Sequence, residues 1–322
     1  MKLEPLLNMK IGDDMLKLEY FYSSRVKMIG SSKKKFIAWV ITFCCLEMIA
    51  RDNNGATRDT HTLLTAQFNN SMGFDRKTFR EKRDAKYKHP LVSWCRERYI
   101  KNHLSDLHPQ KDLIIPKIVH LIWIGPKNPP PVYYSCLESI KKHLPDWELK
   151  VWKDSDIPLL KLQNQKYYEE EPNFAGKSDI MRYELLYKFG GLYLDVDVVV
   201  AKPFDILHYT HDFYVGLHPS TCVDVLGSAI LGSIPGHPIL KHVIETFKDH
   251  RNRECQLARV GPIHLQEAFS DMVTKHDFNR IGVFPATYFY PIEPEDRFPN
   301  INEKQFIKQE TFAAHFFANN WS

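Results

Sequence analysis

Two aspartates two residues apart, Asp195 and Asp197, sit inside an apolar, β-branched run that directly follows Gly190-Gly191. Carboxylates this close repel each other and are costly to bury unless a cation neutralises them, so a divalent metal is the simplest companion for the pair. Upstream, Asp179 and Arg182 are separated by three residues, which places them on one face if the segment is helical. The bland alternative for that second pair is a helix-surface ion pair. A second Asp-x-Asp, Asp154-Ser155-Asp156, provides an internal contrast. It lies between the strand-like stretch Trp147 to Trp152 and Ile157-Pro158, where acids capping a turn are expected rather than a metal site.

The elements that position these residues are legible from periodicity. Ile180, Tyr183, Leu186 and Tyr187 recur at helical spacing, with Ser178 as N-cap and Gly190-Gly191 as C-terminal stop, which predicts a helix over about 179–189. From Leu192 the period changes to two, predicting a strand that carries Asp195 and Asp197 on one face. Lys117 to Ile124 is an almost wholly apolar run of strand length, which implies burial on both faces. Tyr134, Leu137, Ile140 and Leu144 then predict a helix ending at Pro145, and Trp147, Leu149 and Val151 a second strand. Farther on, Phe213 to Leu217, Ser228 to Gly232, Ile281 to Phe284 and Thr311 to Phe316 read as strands, His237 to His250 and the segment after Gly261-Pro262 as helices. Strand, helix, strand, helix, strand is the grammar of an α/β fold with a mostly parallel sheet. Ligands of such sheets bind at the carboxyl ends of strands, where Trp123, Asp195 and Asp197 fall. Isolated histidines such as His120, His218 and His264 read as satisfied core or turn residues.

The ordered string Ser178-Asp179-x-x-Arg182-Tyr183-x-x-Leu186-Tyr187-x-x-Gly190-Gly191-x-Tyr193-x-Asp195-x-Asp197 resembles the signature of glycosyltransferase family 32, the sugar transferases containing a DXD motif. Ile115-Pro116-Lys117-Ile118-Val119-His120-x-x-Trp123-Ile124-Gly125 is similar to that family's opening strand. His315 and Trp321 are similar to its closing element, with Asn320 where serine is usual. The resemblance spans about residues 114 to 322. It implies a GT-A-like α/β fold, a UDP- or GDP-hexose donor, a glycan or glycolipid acceptor, transfer with retention, and Mn²⁺ or Mg²⁺ as cofactor. Asp179, Arg182, Asp195 and Asp197 are then the expected catalytic residues. Trp123, Asp179, Arg182, Asp195 and Trp321 are expected to bind the donor, Trp123 by stacking on the base, although a tryptophan there also reads as plain core. Metal ligation falls to Asp197 directly, to Asp195 through water unless it holds the ribose instead, and to His315. A protein glucosyltransferase of the effector type and a non-catalytic scaffold that binds sugar nucleotides are the competing readings.

Composition adds placement rather than chemistry. The first 115 residues carry 21 Lys and Arg against 13 Asp and Glu, the remainder 22 against 26, so the basic character of the chain belongs to its N-terminal third. No nucleic-acid motif accompanies it, and no nucleic-acid partner is expected. Lys33-Lys34-Lys35 precede an apolar run, Phe36 to Leu46, in the layout of a signal anchor with the charges on the cytosolic side. The alternative is a buried helix of a soluble fold. The expected organisation is a cytosolic tail at 1–35, an apolar segment at 36–50, a polar stem at 51–113 and a catalytic domain at 114–322. A Golgi or other secretory membrane is the expected location, and Asn69-Asn70-Ser71 is a glycosylation sequon that agrees with it. Of six cysteines, Cys44 and Cys45 fall in the apolar run, and the lack of any Cys-x-x-Cys argues against a zinc or redox site. Cys95, Cys136, Cys222 and Cys255 leave up to two disulfides or buried free thiols open.

Overall fold

A computed structural model describes residues 67–72, 88–101, 111–219, 224–294 and 307–318. The expected tail and apolar segment, most of the stem, Cys222, Asn320 and Trp321 lie outside the described residues. The centre is a six-stranded sheet built from β1 (Ile118–Ile122), β2 (Glu148–Trp152), β3 (Gly191–Leu194), β5 (Phe213–Leu217), β6 (Leu226–Ser233) and β7 (Ile281–Phe284), in the order β2-β1-β3-β6-β5-β7. Three of its pairings are parallel (β1 with β2, β1 with β3, β5 with β7), and β6 runs antiparallel to both of its neighbours. The α/β class and mostly parallel sheet expected from the sequence are therefore what the chain forms.

Helices cover both faces, as buried strands without alternation require. In chain order these are α1 (Phe68–Ser71), α2 (Pro90–Lys101), α3 (Pro131–His143), α4 (Ile157–Leu160), α5 (Gln165–Glu170), α6 (Phe174–Phe189), α7 (Asp205–Thr210), α8 (Pro238–His250), α9 (Gln256–Arg259) and α10 (Pro262–Lys275). α6 packs on α8, α8 on α10, and α10 on β6, while α2 covers β7. Among the described residues no helix is long and apolar enough to cross a membrane. Cys95 and Cys136 are buried free thiols and Cys255 is an exposed one, so no disulfide joins these three.

Three local expectations are corrected. The helix expected from residue 179 begins at Phe174, because Asn173 caps it by accepting the Gly176 N–H at 2.7 Å; Ser178 is buried inside it. Its C-terminal stop is as expected: Gly190 and Gly191 have φ of 65° and 102°, a region that favours glycine, and a Cβ at Gly191 would lie 2.5 Å from the Ile118 carbonyl oxygen. Tyr134, one of the residues whose spacing marked this helix, is 56% exposed, because the buried face of α3 runs through Val132, Tyr133, Cys136 and Ile140. Most consequential, the strand expected to carry both aspartates stops at Leu194. The Asp195 N–H still reaches the Ala229 carbonyl at 2.8 Å, but the Val198 N–H then closes a turn onto the Asp195 carbonyl at 3.1 Å. The chain leaves the central sheet there and enters β4 (Val198–Val200), which pairs antiparallel with β8 (Ala313–His315) in a separate two-stranded sheet.

Candidate active site

That change of sheet builds the site. The β4 and β8 register sets Val198 opposite His315, bringing a residue from the C-terminal part of the chain against the turn that holds the two aspartates. His315 Nε2 lies 3.2 Å from Asp197 Oδ1 and 4.0 Å from Asp195 Oδ2. One ligand atom from each of Asp195, Asp197 and His315 falls within 4.8 Å of the others. Two ligand atoms about 2.1 Å from a cation and at right angles to each other lie about 3 Å apart, close to the 3.2 Å between His315 Nε2 and Asp197 Oδ1, so the cluster is a candidate site for one ion after small side-chain adjustment. Two carboxylates and an imidazole suit a hard or borderline divalent cation. Without an ion the imidazole answers the negative charge: although burial opposes it, the neighbouring Asp197 carboxylate raises His315 above its ordinary range, and His315 holds Asp197 below its own. Asp197 is fixed further by the Ala318 N–H, which donates to its Oδ2 at 2.7 Å.

The second pair adjoins the first. Arg182 and Asp179 are both nearly buried on α6, and Arg182 Nη2 lies 2.9 Å from Asp179 Oδ1 and 3.2 Å from Asp195 Oδ1. They are therefore not a surface ion pair but a buried cation shared between two carboxylates. The guanidinium also donates through Nη1 to the Ser228 carbonyl and hydroxyl on β6, at 2.8 and 2.9 Å, and lies 4.6 Å from the centre of the Tyr193 ring. Tyr193 in turn donates to Asp195 Oδ1 at 2.7 Å. Asp179 Oδ2 accepts from Gln256 on α9. Burial pushes the Asp179 carboxyl up to about 7, against the lowering effect of Arg182.

Asp179, Arg182, Asp195, Asp197 and His315 all line one cavity, together with Ser228 of β6. The first five are residues the sequence singled out; Ser228 read only as the start of a strand, and Gln256 was not singled out. Trp123 lies just past the end of β1 and is 9% exposed. Its indole donates to the Lys127 carbonyl at 2.9 Å and its ring leans on Tyr133, while the neighbouring Ile122 is the residue that lines the cavity. Asp154 and Asp156 behave as turn acids: they form an exposed 3₁₀ turn in which Asp154 accepts from the Gly125 N–H and Asp156 from the Lys153 N–H.

The family described as "Glycosyltransferase sugar-binding region containing DXD motif" matches residues 130–214. Inositol phosphoceramide mannosyltransferase 3 of Schizosaccharomyces pombe is 29% identical over 185 residues, covering 53% of this chain and 49% of that protein. Alpha-1,4-N-acetylglucosaminyltransferase of Homo sapiens is 30% identical over 98 residues, covering 30% of this chain and 26% of that one. The chain spans about half the length of the first of the curated relatives it matches. Among solved structures, PaToxG glycosyltransferase aligns with a TM-score of 0.45 and 20% identity, covering 62% of this chain and 80% of that one. The signature from Ser178 to Asp197 falls wholly inside the matched region, so this stretch of the chain is similar to the sugar-binding region of the DXD-containing glycosyltransferases.

Proposed function

We propose that this protein is a metal-dependent, retaining glycosyltransferase that moves a hexose from a UDP- or GDP-sugar to a glycan or glycolipid. The observation that carries the proposal is the convergence of Asp195, Asp197 and His315 within 4.8 Å, beside the buried Asp179–Arg182 pair and in one cavity. Mn²⁺ or Mg²⁺ held there would offset the negative charge that builds on the departing diphosphate. Asp197 and His315 would hold the ion, with Asp195 assisting through Oδ2 while its Oδ1 stays with Arg182 and Tyr193. Asp179 keeps lone pairs for sugar hydroxyls, and Arg182 supplies fixed positive charge to the donor side. Because these groups are held by burial and mutual hydrogen bonds before any substrate arrives, they need little reorganisation as charge develops. Trp123 and Trp321 remain the proposed contacts for base and diphosphate.

A glycolipid acceptor is favoured over a protein one by the relatives named for inositol phosphoceramide. The proposed location is a secretory-pathway membrane, most simply the Golgi, crossed once through residues 36–50 with the catalytic domain in the lumen. Asn69 of the sequon is exposed on α1, as modification there requires. Expressed full-length protein should fractionate with membranes and carry an endoglycosidase-sensitive mass at Asn69; soluble, unmodified protein would refute that placement. The catalytic proposal is tested by thermal-shift screening of nucleotide sugars with Mn²⁺. A ligand that binds the native state at 100 times its Kd adds about 2.7 kcal/mol of apparent stability, so one nucleotide series should raise Tm and only with metal present.

A further inference from the structure

His218 was expected to be a satisfied turn or core histidine, and its surroundings differ from those of His120, His208 and His264. His120 has both ring nitrogens engaged, with the Gly190 carbonyl and the Trp152 indole; His208 has both engaged, with the Ile115 carbonyl and the Tyr214 hydroxyl. His264 likewise bonds the Val243 carbonyl and His250. His218 uses only one nitrogen in this way. Its Nδ1 lies 2.6 Å from Asp224 Oδ2, and both side chains are about nine-tenths buried. Its Nε2 has no hydrogen-bond partner among the described residues, and the side chain keeps about a tenth of its surface exposed. The ring lines the same cavity as Asp195, Asp197 and His315.

The dyad is held in place by the fold. The His218 N–H donates to the Val225 carbonyl at 2.8 Å, closing the β5-to-β6 connection so that residues 218 and 224 face each other. The Val225 N–H is tied to Gln266 of α10 at 2.6 Å, and Tyr290 and Phe317 pack against the imidazole with centroids at 4.7 and 6.0 Å. A carboxylate only accepts hydrogen bonds, so Asp224 places the ring proton on Nδ1 and leaves the lone pair on Nε2, at the cavity.

We propose that the His218–Asp224 dyad seats the acceptor hydroxyl and takes its proton. The inference rests on the transferase reading. As the acceptor oxygen bonds to the anomeric carbon, the bond from that carbon to the donor phosphate breaks with its electron pair left on the diphosphate. The hydroxyl proton passes to His218 Nε2, and the imidazolium formed is stabilised by Asp224.

The test uses the full chain with Mn²⁺ and a panel of UDP- and GDP-hexoses, water serving as acceptor. Two readouts are followed: the Tm increase produced by Mn²⁺ with UDP or GDP, and metal-dependent release of free sugar. In His218→Gln and Asp224→Asn the Tm increase should match wild type while release falls by about 10²- to 10⁴-fold, the usual contribution of a positioned base. In His218→Ala, added imidazole should restore part of the release, which a purely structural role would not allow. Release within a few fold of wild type in folded His218→Gln, or no recovery of folded His218→Ala with imidazole, would overturn the dyad's role alone. A wild-type chain with neither Tm increase nor release would instead overturn the transferase reading.

Discussion

Arg182 offers the sharpest test of how the site is held together. It is 4% exposed, lies within 3.2 Å of two carboxylates, and donates to both oxygens of Ser228. Replacing it by methionine keeps the stem's bulk but leaves Asp179 in a dry site without its cation. Breaking a buried pair by removing one partner costs about 3 to 5 kcal/mol when the remaining charge stays uncompensated, an upper bound here because Asp179 can take up a proton. At roughly 2 to 4 °C per kcal/mol for a domain of this size, the metal-free Tm should fall by up to about 10 °C. The loss should depend on pH in a defined direction. Burial already pushes Asp179 up to about 7, and Arg182 is the largest influence holding it down, so the Arg182→Met variant should carry Asp179 higher still. A group whose folded pKa is raised above its unfolded value of 3.8 stabilises the fold below that unfolded value and loses the contribution as pH rises through the folded one. Arg182→Met should therefore lose less against wild type at pH 5.5 than at pH 8. Adding Asp179→Asn should recover much of the deficit at pH 8. Urea midpoints at the two pH values provide the measurement. A deficit under about 1 kcal/mol, or one that Asp179→Asn leaves unchanged at pH 8, would refute the view that Arg182 is held by buried carboxylates.

Two further outcomes follow from the structure. Burial lowers His120, His211 and His264 to about 4 and His208 to about 3, so each binds fewer protons folded than unfolded between those values and 6.5. Stability present above pH 6.5 should then be lost as pH falls toward 4, each histidine adding a slope of at most about 1.4 kcal/mol per pH unit; a urea midpoint that does not change over that range would contradict this. If Trp123 stacks on the donor base, Trp123→Ala should weaken nucleotide binding by about 1 to 3 kcal/mol and Trp123→Phe should recover much of it, whereas unfolding of both variants would leave the residue as core.

Much of this architecture was readable because buried strands and helices advertise themselves by period. The strands over 213–217 and 281–284, the helix entered at Gly261-Pro262 and the Gly190-Gly191 stop all lie where apolar spacing and turn chemistry put them. The reading went astray where apolarity continued but the backbone did not. Leu194, Val196 and Val198 keep a period of two through a turn, because all three face apolar surroundings on either side of the change of sheet. Asp195, Asp197, Asp179 and Arg182 were legible as a site because they lie close together in one contiguous signature. His315 was legible only through resemblance, since its place beside Asp197 is created by the β4 and β8 pairing between segments far apart in the chain. The His218–Asp224 dyad had no local signal: it exists only once the Val225 carbonyl has closed the loop between β5 and β6.

The most direct test of the central claim compares the two Asp-x-Asp motifs in one donor-hydrolysis assay with titrated Mn²⁺. Asp197→Asn removes a carboxylate that pairs with His315 at 3.2 Å and accepts the Ala318 N–H, with little change in volume. The metal-free variant should still fold but lose the His315 ion pair, its Tm should respond less to Mn²⁺ than that of wild type, and sugar release should fall by orders of magnitude. Asp154→Asn and Asp156→Asn remove exposed turn acids, worth about 0.5 to 2 kcal/mol of stability, and should leave release and its metal dependence within a few fold of wild type. Loss of metal dependence in the 154 and 156 variants while Asp197→Asn retains it would contradict the assignment of the site.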